Sequence, residues 1–302
     1  MFHTIIVGVD ARDGGRDALA LAERMARAFG GQLVAVHAYP DDYFISRSLD
    51  AEVDAALHKA AMETLETELE RAGISARPVA PMDSSPARAL HREAEREHAD
   101  LIVVGSSHRG RIGRVLAGDV TASTLYGAPC PVVVAPTRFA DHGGDLKRIG
   151  VGFDGSPESR VALSVARAVA EATDARLRVI DVVTPVAPDG PFAGYREDWT
   201  EHARIKREQA EARLECVLAE LGEIATGVVA FGEPARELVY EAQRLDLLIT
   251  GSRGYGPVRR LMLGSTSHRL VHEAPCPVMV LTRTAVEDGA PSDVVARGAH
   301  AS

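Results

Sequence analysis

Lysine and cysteine are scarce in this sequence, and each shortage removes a class of function. Only Lys59, Lys147 and Lys206 occur and none follows a glycine, so a lysine-bearing P-loop is excluded. Cys130, Cys216 and Cys276 are too few and too widely spaced for a disulfide framework or a zinc knuckle, and they read as reduced thiols. No apolar run approaches the length that a bilayer-spanning helix requires. Met1-Phe2-His3-Thr4 leads straight into a strand pattern without a basic n-region or a cleavage site, which points to a cytoplasmic location. A Gly-x-Ser-x-Gly elbow, a His-Glu-x-x-His pair and a Cys-x-x-Cys pair are all missing. Catalysis therefore has no visible constellation to rest on.

What is present is a globular composition: 302 residues, 46% hydrophobic and 25% charged, enough for two ordinary domains. The net charge of -9 is spread evenly, with 15 basic and 20 acidic side chains in residues 1–143 and 19 and 23 in the remainder. Neither half has the basic excess of a nucleic-acid binder.

An internal repeat sets the architecture. Ile5-Ile6-Val7-Gly8-Val9-Asp10 returns as Ile149-Gly150-Val151-Gly152-Phe153-Asp154, offset by 144. Asp100-Leu101-Ile102-Val103-Val104-Gly105 returns as Asp246-Leu247-Leu248-Ile249-Thr250-Gly251, and Ala128-Pro129-Cys130-Pro131-Val132 as Ala274-Pro275-Cys276-Pro277-Val278, both offset by 146. A duplicated unit of about 140 residues is an ordinary domain size.

Within the first copy, strand patterns at 4–9, 33–38, 74–80, 101–104 and 131–135 alternate with helix patterns near 14–29, 50–71, 86–97 and 119–126. Ala18, Leu21, Ala22 and Met25 share one helical face. Near-continuous apolar strands alternating with amphipathic helices predict an α/β fold: two tandem, doubly wound domains, each a parallel sheet with helices on both faces. Pro136, Gly143 and Gly144 mark the connection. The divisions are a first domain over 1–138, a linker over 139–147, a second domain over 148–285 and a disordered tail over 286–302.

One stretch looks built to hold a ligand. Gly251, Gly254 and Gly264, followed by Ser265 and Thr266, sit between a strand and a helix start, where backbone N–H groups and hydroxyls can approach a phosphate. The bland alternative is a tight strand-to-helix turn with an ordinary cap at Ser265. In a doubly wound sheet, ligands bind beyond the carboxyl ends of the strands where the strand order reverses, which would bring Asp154 and Gly251 together. Arg253, Arg259 and Arg260 lie in or beside the loop, and Arg253 is the favoured phosphate contact. The Pro-Cys-Pro repeats around Cys130 and Cys276 read as small buried side chains at strand starts, and His268 and His272 as solvated or capping residues on one helical face.

The Val-Gly-Val-Asp-like first strand, the Gly-x2-Gly-x9-Gly-Ser loop after the fourth strand and the Ala-Pro-Cys-Pro-Val lead into the fifth together resemble the universal stress protein family. The resemblance covers nearly all of both copies. It implies a five-stranded parallel sheet in each domain, ATP binding in members with the full loop, and pairing of fifth strands. The last leads to an intramolecular pseudo-dimer here, with homodimerisation left open. Carried onto this sequence, it assigns Gly251, Gly254, Gly264 and Ser265 to the phosphates, Asp154 to the adenosine and the backbone of Val182 to the adenine; Mg²⁺ would accompany ATP.

The first copy keeps Asp10, Ala38, Gly105 and Gly118 at the matching positions, but His108 replaces the second glycine and Asp119 the serine. One nucleotide site, in the second domain, is therefore expected. The functional reading is an ATP-binding regulatory protein of the stress response, with no nucleic-acid or membrane partner. A slow ATPase or phosphate-transferring enzyme and a ligand-free interaction scaffold are the alternatives.

Overall fold

The computed structural model describes residues 1–40, 51–106, 119–184, 196–251 and 264–281. The first copy runs β1 (Thr4–Gly8), α1 (Asp13–Phe29), β2 (Gln32–Val36), α2 (Ala51–Ala72), β3 (Arg77–Val79), α3 (Pro86–Arg96), β4 (Leu101–Gly105), α4 (Asp119–Leu125) and β5 (Val132–Ala135). After α5 (Phe139–His142) the second copy follows as β6 (Arg148–Gly152), α6 (Pro157–Thr173), β7 (Arg176–Val183), α7 (Arg196–Leu221), β8 (Ala225–Phe231), α8 (Pro234–Ala242), β9 (Leu247–Gly251), α9 (Ser265–Glu273) and β10 (Val278–Leu281).

Local chemistry sets several boundaries. Helices α3 and α6 both open on Ser-Pro, with the Ser85 and Ser156 side chains accepting from the N–H groups of Arg88 and Ser159; the proline occupies a position whose N–H would have no helical partner. At the other end of α2, Gly73 is left-handed with φ +64°, and Ile74 N–H reaches back to the Leu69 carbonyl at 3.1 Å. This cap takes up Ile74. The third strand therefore begins at Arg77 rather than at 74.

The two copies share one ten-stranded sheet in the order β3-β2-β1-β4-β5-β10-β9-β6-β7-β8. Neighbours are parallel except β5 and β10, which pair antiparallel with Met279 opposite Val133. Each fifth strand thereby covers the other's edge. Side chains alternate between faces: Ile5, Val7, Val103, Val133, Met279, Ile249 and Val151 join the core under α1, α2, α6 and α7, while Ile6, Ile102, Val132, Val134, Val278 and Leu248 join the one under α3, α4, α8 and α9. Both cores are continuous across the junction between copies.

The connection is folded onto the first copy. Asp17, buried in α1, accepts from the N–H groups of Arg138 at 2.9 Å and Ala140 at 2.8 Å. Phe139 is buried in the core, with the Arg24 guanidinium 4.7 Å from its ring centre.

Candidate functional site

Strand order reverses between β1 and β4 in the first copy and between β6 and β9 in the second, so each copy has a crevice at the carboxyl ends of those strands. In the second copy Gly251 ends β9 and Asp154 follows β6 by two residues, on strands paired through Val151 and Ile249. Asp154 is exposed, and its Oδ1 accepts the Ser156 N–H at 3.0 Å. The structure thus brings Asp154 and Gly251 to one crevice.

The glycine at the end of each fourth strand has a packing reason of its own. A Cβ on Gly251 would lie 3.0 Å from the Glu158 carbonyl oxygen in the first turn of α6, and one on Gly105 would lie 2.8 Å from the Gly14 Cα in α1. Only a residue without Cβ lets the helix start sit this close.

Beyond the loop, Gly264 is the N-cap of α9, without a capping side chain and without an acidic residue in the first turn. Ser265 and Thr266 open the helix, and the first intrahelical bond runs from His268 N–H to the Gly264 carbonyl at 2.9 Å. This is the positive end of a helix dipole. Ser267 fixes its position by donating its hydroxyl to the Gly251 carbonyl at 3.0 Å. Arg253, Gly254, Arg259 and Arg260 lie outside the described residues, as do His108 and Gly118 of the first copy.

Val182 is inside β7, not beyond it, because pairing with β8 continues to Val183 opposite Phe231. Phe153 N–H donates to the Ile180 carbonyl on the β6 side, and Gly232 N–H donates to the Val183 carbonyl on the β8 side. Alternate residues of a parallel strand serve the same neighbour, so Val182 turns its N–H and carbonyl toward β6, past the point where β6 ends. Ala38 follows β2 and has the same parity as Val36, whose carbonyl accepts from Val9 N–H.

A protein-family model described as the universal stress protein family matches residues 1–136 and 145–282. The chain belongs to the universal stress protein family. It is 27% identical over 297 residues to a universal stress protein of Mycobacterium tuberculosis, 93% of this chain and 96% of that relative. With one of Mycolicibacterium smegmatis it is 34% identical over 193 residues, 61% of this chain and 62% of the relative, so it spans under two thirds of that protein's length. A solved universal stress protein structure from Archaeoglobus fulgidus, 22% identical, has a TM-score of 0.68 and covers 93% of this chain and 98% of its own, a likeness of fold.

The two copies of this universal stress protein differ at the crevice in a way that sequence reasoning missed. Asp181 in β7 is 1% exposed and accepts from Arg213 of α7, at 2.9 Å from Nε and 2.6 Å from Nη2. Burial pushes its carboxyl up, Arg213 opposes this, and the nearby Asp154 adds to it. Arg213 also lies against Gly155, where φ is +82° and a Cβ would meet Arg213 Cδ at 2.7 Å. In the first copy His37 takes the place of Asp181, with Nδ1 2.7 Å from the Val9 carbonyl, a contact that needs the proton on Nδ1. An aspartate within the apolar run Val179-Ile180-Asp181-Val182-Val183 was the available signal.

Asp10 also differs from Asp154: its Oδ1 accepts from both Arg12 and Gly15 N–H at 3.2 Å, tying it to the start of α1. Burial pushes the Cys130 and Cys276 thiols up to about 12, as expected of packing residues rather than reactive ones. Among the described residues no cluster of three or more His, Cys, Asp or Glu could hold a metal ion, and no helix is long and apolar enough to cross a membrane.

Proposed function

We propose that this protein is an ATP-binding regulatory protein of the stress response, with its main nucleotide site in the second copy. The observation that carries the reading is the meeting of three features at the β6–β9 crevice: the exposed Asp154, the carboxyl end of β9 at Gly251, and the uncapped α9 start at Gly264. An anion is favoured at that helix end. Asp154 and the β6-facing backbone of Val182 suit the adenosine, while Gly264, Ser265 and Thr266 suit the phosphates. Arg253 and Gly254 belong to the proposal through the loop spacing. Mg²⁺ would come bound to the polyphosphate, as magnesium commonly does.

The first copy opens α4 on Asp119 where the second opens α9 on Ser265. A carboxylate about 4 Å from a phosphate charge costs roughly 4 kcal/mol at an effective dielectric near 20, which disfavours a polyphosphate there. Asp10, Ala38, Gly105 and Gly118 remain compatible with a less charged ligand.

Calorimetric titration with ATP and Mg²⁺ tests the reading. One site per chain is expected, lost in Gly264→Val; two equal sites, or no loss in that variant, would overturn it. Phosphate release that tracks the pure protein and vanishes in Ser265→Ala would support the ATPase alternative instead.

A further inference from the structure

The shared sheet ends in two edges of opposite character. At one end, β3 is three residues long. His37 N–H donates to the Val79 carbonyl, so Arg77 and Val79 turn their backbone groups inward and Pro78 faces outward. A proline there has no N–H to offer an incoming strand. At the other end, β8 runs for seven residues, Ala-Thr-Gly-Val-Val-Ala-Phe, without charge or proline. Gly232 N–H donates inward to the Val183 carbonyl. By the same alternation Gly227, Val229 and Phe231 present their N–H and carbonyl groups outward. Among the described residues nothing pairs with this edge, and Phe231 at its end is 43% exposed, with the Arg207 guanidinium 4.9 Å from its ring centre.

Beside the open edge is a groove of about 630 Å³ between β8 and α7. Its apolar floor includes Leu214, Leu218 and Val229, and its rim carries Glu211 and Glu215. Glu211 is paired with Arg207 at 2.7 Å; Glu215 is exposed.

We propose that the β8 edge and this groove bind an extended, basic segment of a partner protein, which adds to the sheet as an outer strand. Main-chain bonds to Gly227, Val229 and Phe231 supply the pairing. Alternate side chains of the added strand fall on the α7 face. There a lysine or arginine can lay its stem on Leu218 and bring its charge to Glu215. The residues between them face Val228 on the opposite side and are best β-branched. The same acidic rim disfavours a second copy of this chain: twofold pairing of β8 with β8 would set two α7 helices side by side and bring their Glu215 carboxylates together.

A labelled peptide alternating lysine and valine over seven residues, added to the full chain, tests the proposal by fluorescence anisotropy and amide hydrogen exchange. Saturation at one peptide per chain is expected, with slowed exchange at Gly227, Val229 and Phe231 and none at β3. The surface variant Glu211→Lys with Glu215→Lys should keep its fold and bind at least about tenfold more weakly. Equal binding of a peptide alternating glutamate and valine, or protection elsewhere, would overturn the proposal. It would equally fail if the three amides exchange slowly in the free chain at every dilution, which means the chain covers its own edge. Slowing only at high protein concentration would identify a second copy as the occupant and overturn it too.

Discussion

Ser267 donates its hydroxyl to the Gly251 carbonyl at 3.0 Å, so the strand that ends at the crevice and the helix that begins there are held together across the intervening loop. The first copy repeats the bond, from Thr121 to the Gly105 carbonyl at 2.8 Å. Ser267→Ala should cost about 1 kcal/mol of stability and weaken ATP binding several-fold, because the α9 start loses its tether. Thr121→Ala should cost a similar amount and leave ATP binding unchanged. Denaturant midpoints alongside calorimetric titration separate the two effects, and equal loss of binding in both variants would contradict a site confined to the second copy.

Gly105 and Gly251 occupy matching positions under different pressure. A Cβ on Gly105 would run into the backbone of Gly14, which only a shift of the helix start could relieve, whereas on Gly251 it would approach Glu158 at 3.0 to 3.1 Å. Gly105→Ala should therefore lower stability by about 3 kcal/mol and Gly251→Ala by about 1 kcal/mol. Chemical denaturation checks the order. Equal midpoints would remove the packing account of these glycines and leave only a ligand to explain them.

The contrast between these features and the Asp181–Arg213 pair explains what could be read from the sequence. Strands such as Ile5-Ile6-Val7 and Leu101-Ile102-Val103-Val104 are buried on both faces, so they appear as unbroken apolar runs, and the duplication displays each signal twice. The crevice was legible because a doubly wound sheet binds ligands where its strand order reverses, and Gly251 ends, and Asp154 closely follows, the strands that meet there. Asp181 and Arg213 are 32 residues apart on elements with no common period, and nothing local marks them as partners. Val182 was displaced from its expected position because the length of β7 depends on β8, a tertiary pairing. The folded connection depends likewise on Asp17, whose carboxylate accepts N–H groups from a segment more than a hundred residues away.

Acid should weaken the first copy through Asp83. This buried carboxylate accepts from Arg88 at 2.6 Å and 3.0 Å and from Ser85 N–H at 2.8 Å. The Arg88 bonds hold its carboxyl below the ordinary aspartate value of 3.8 against the opposing effect of burial. A depressed carboxylate pKa means that the stabilisation is present above the ordinary value and is lost as pH falls through the folded one. Asp83→Asn should cost about 2 kcal/mol at neutral pH, and the gap from the parent should narrow below about pH 4. Denaturation across pH measures it; a gap that stays constant into acid would show that the charge of Asp83 is not what stabilises the fold.

His272 offers a titration on α9 itself. Its ring centre lies 4.5 Å from that of His268 one turn earlier. Burial, first, and His268, second, hold its pKa below the ordinary 6.5, with Glu273 pulling the other way. Because protonation is harder in the folded state than in the unfolded one, stability is full above 6.5 and falls as pH drops below it. Removing the neighbour isolates the smaller cause: in His268→Ala the His272 pKa should rise yet remain below its ordinary value, since burial persists. Imidazole proton chemical shifts followed across pH read this directly. A pKa unmoved by His268→Ala would mean that the two rings do not sense each other's charge, and a rise to the ordinary value would mean that repulsion, not burial, dominates. The same spectra bear on the proposed site: phosphates bound at the α9 start would place negative charge on the helix that carries His272, and its pKa should then rise from the value in the free protein.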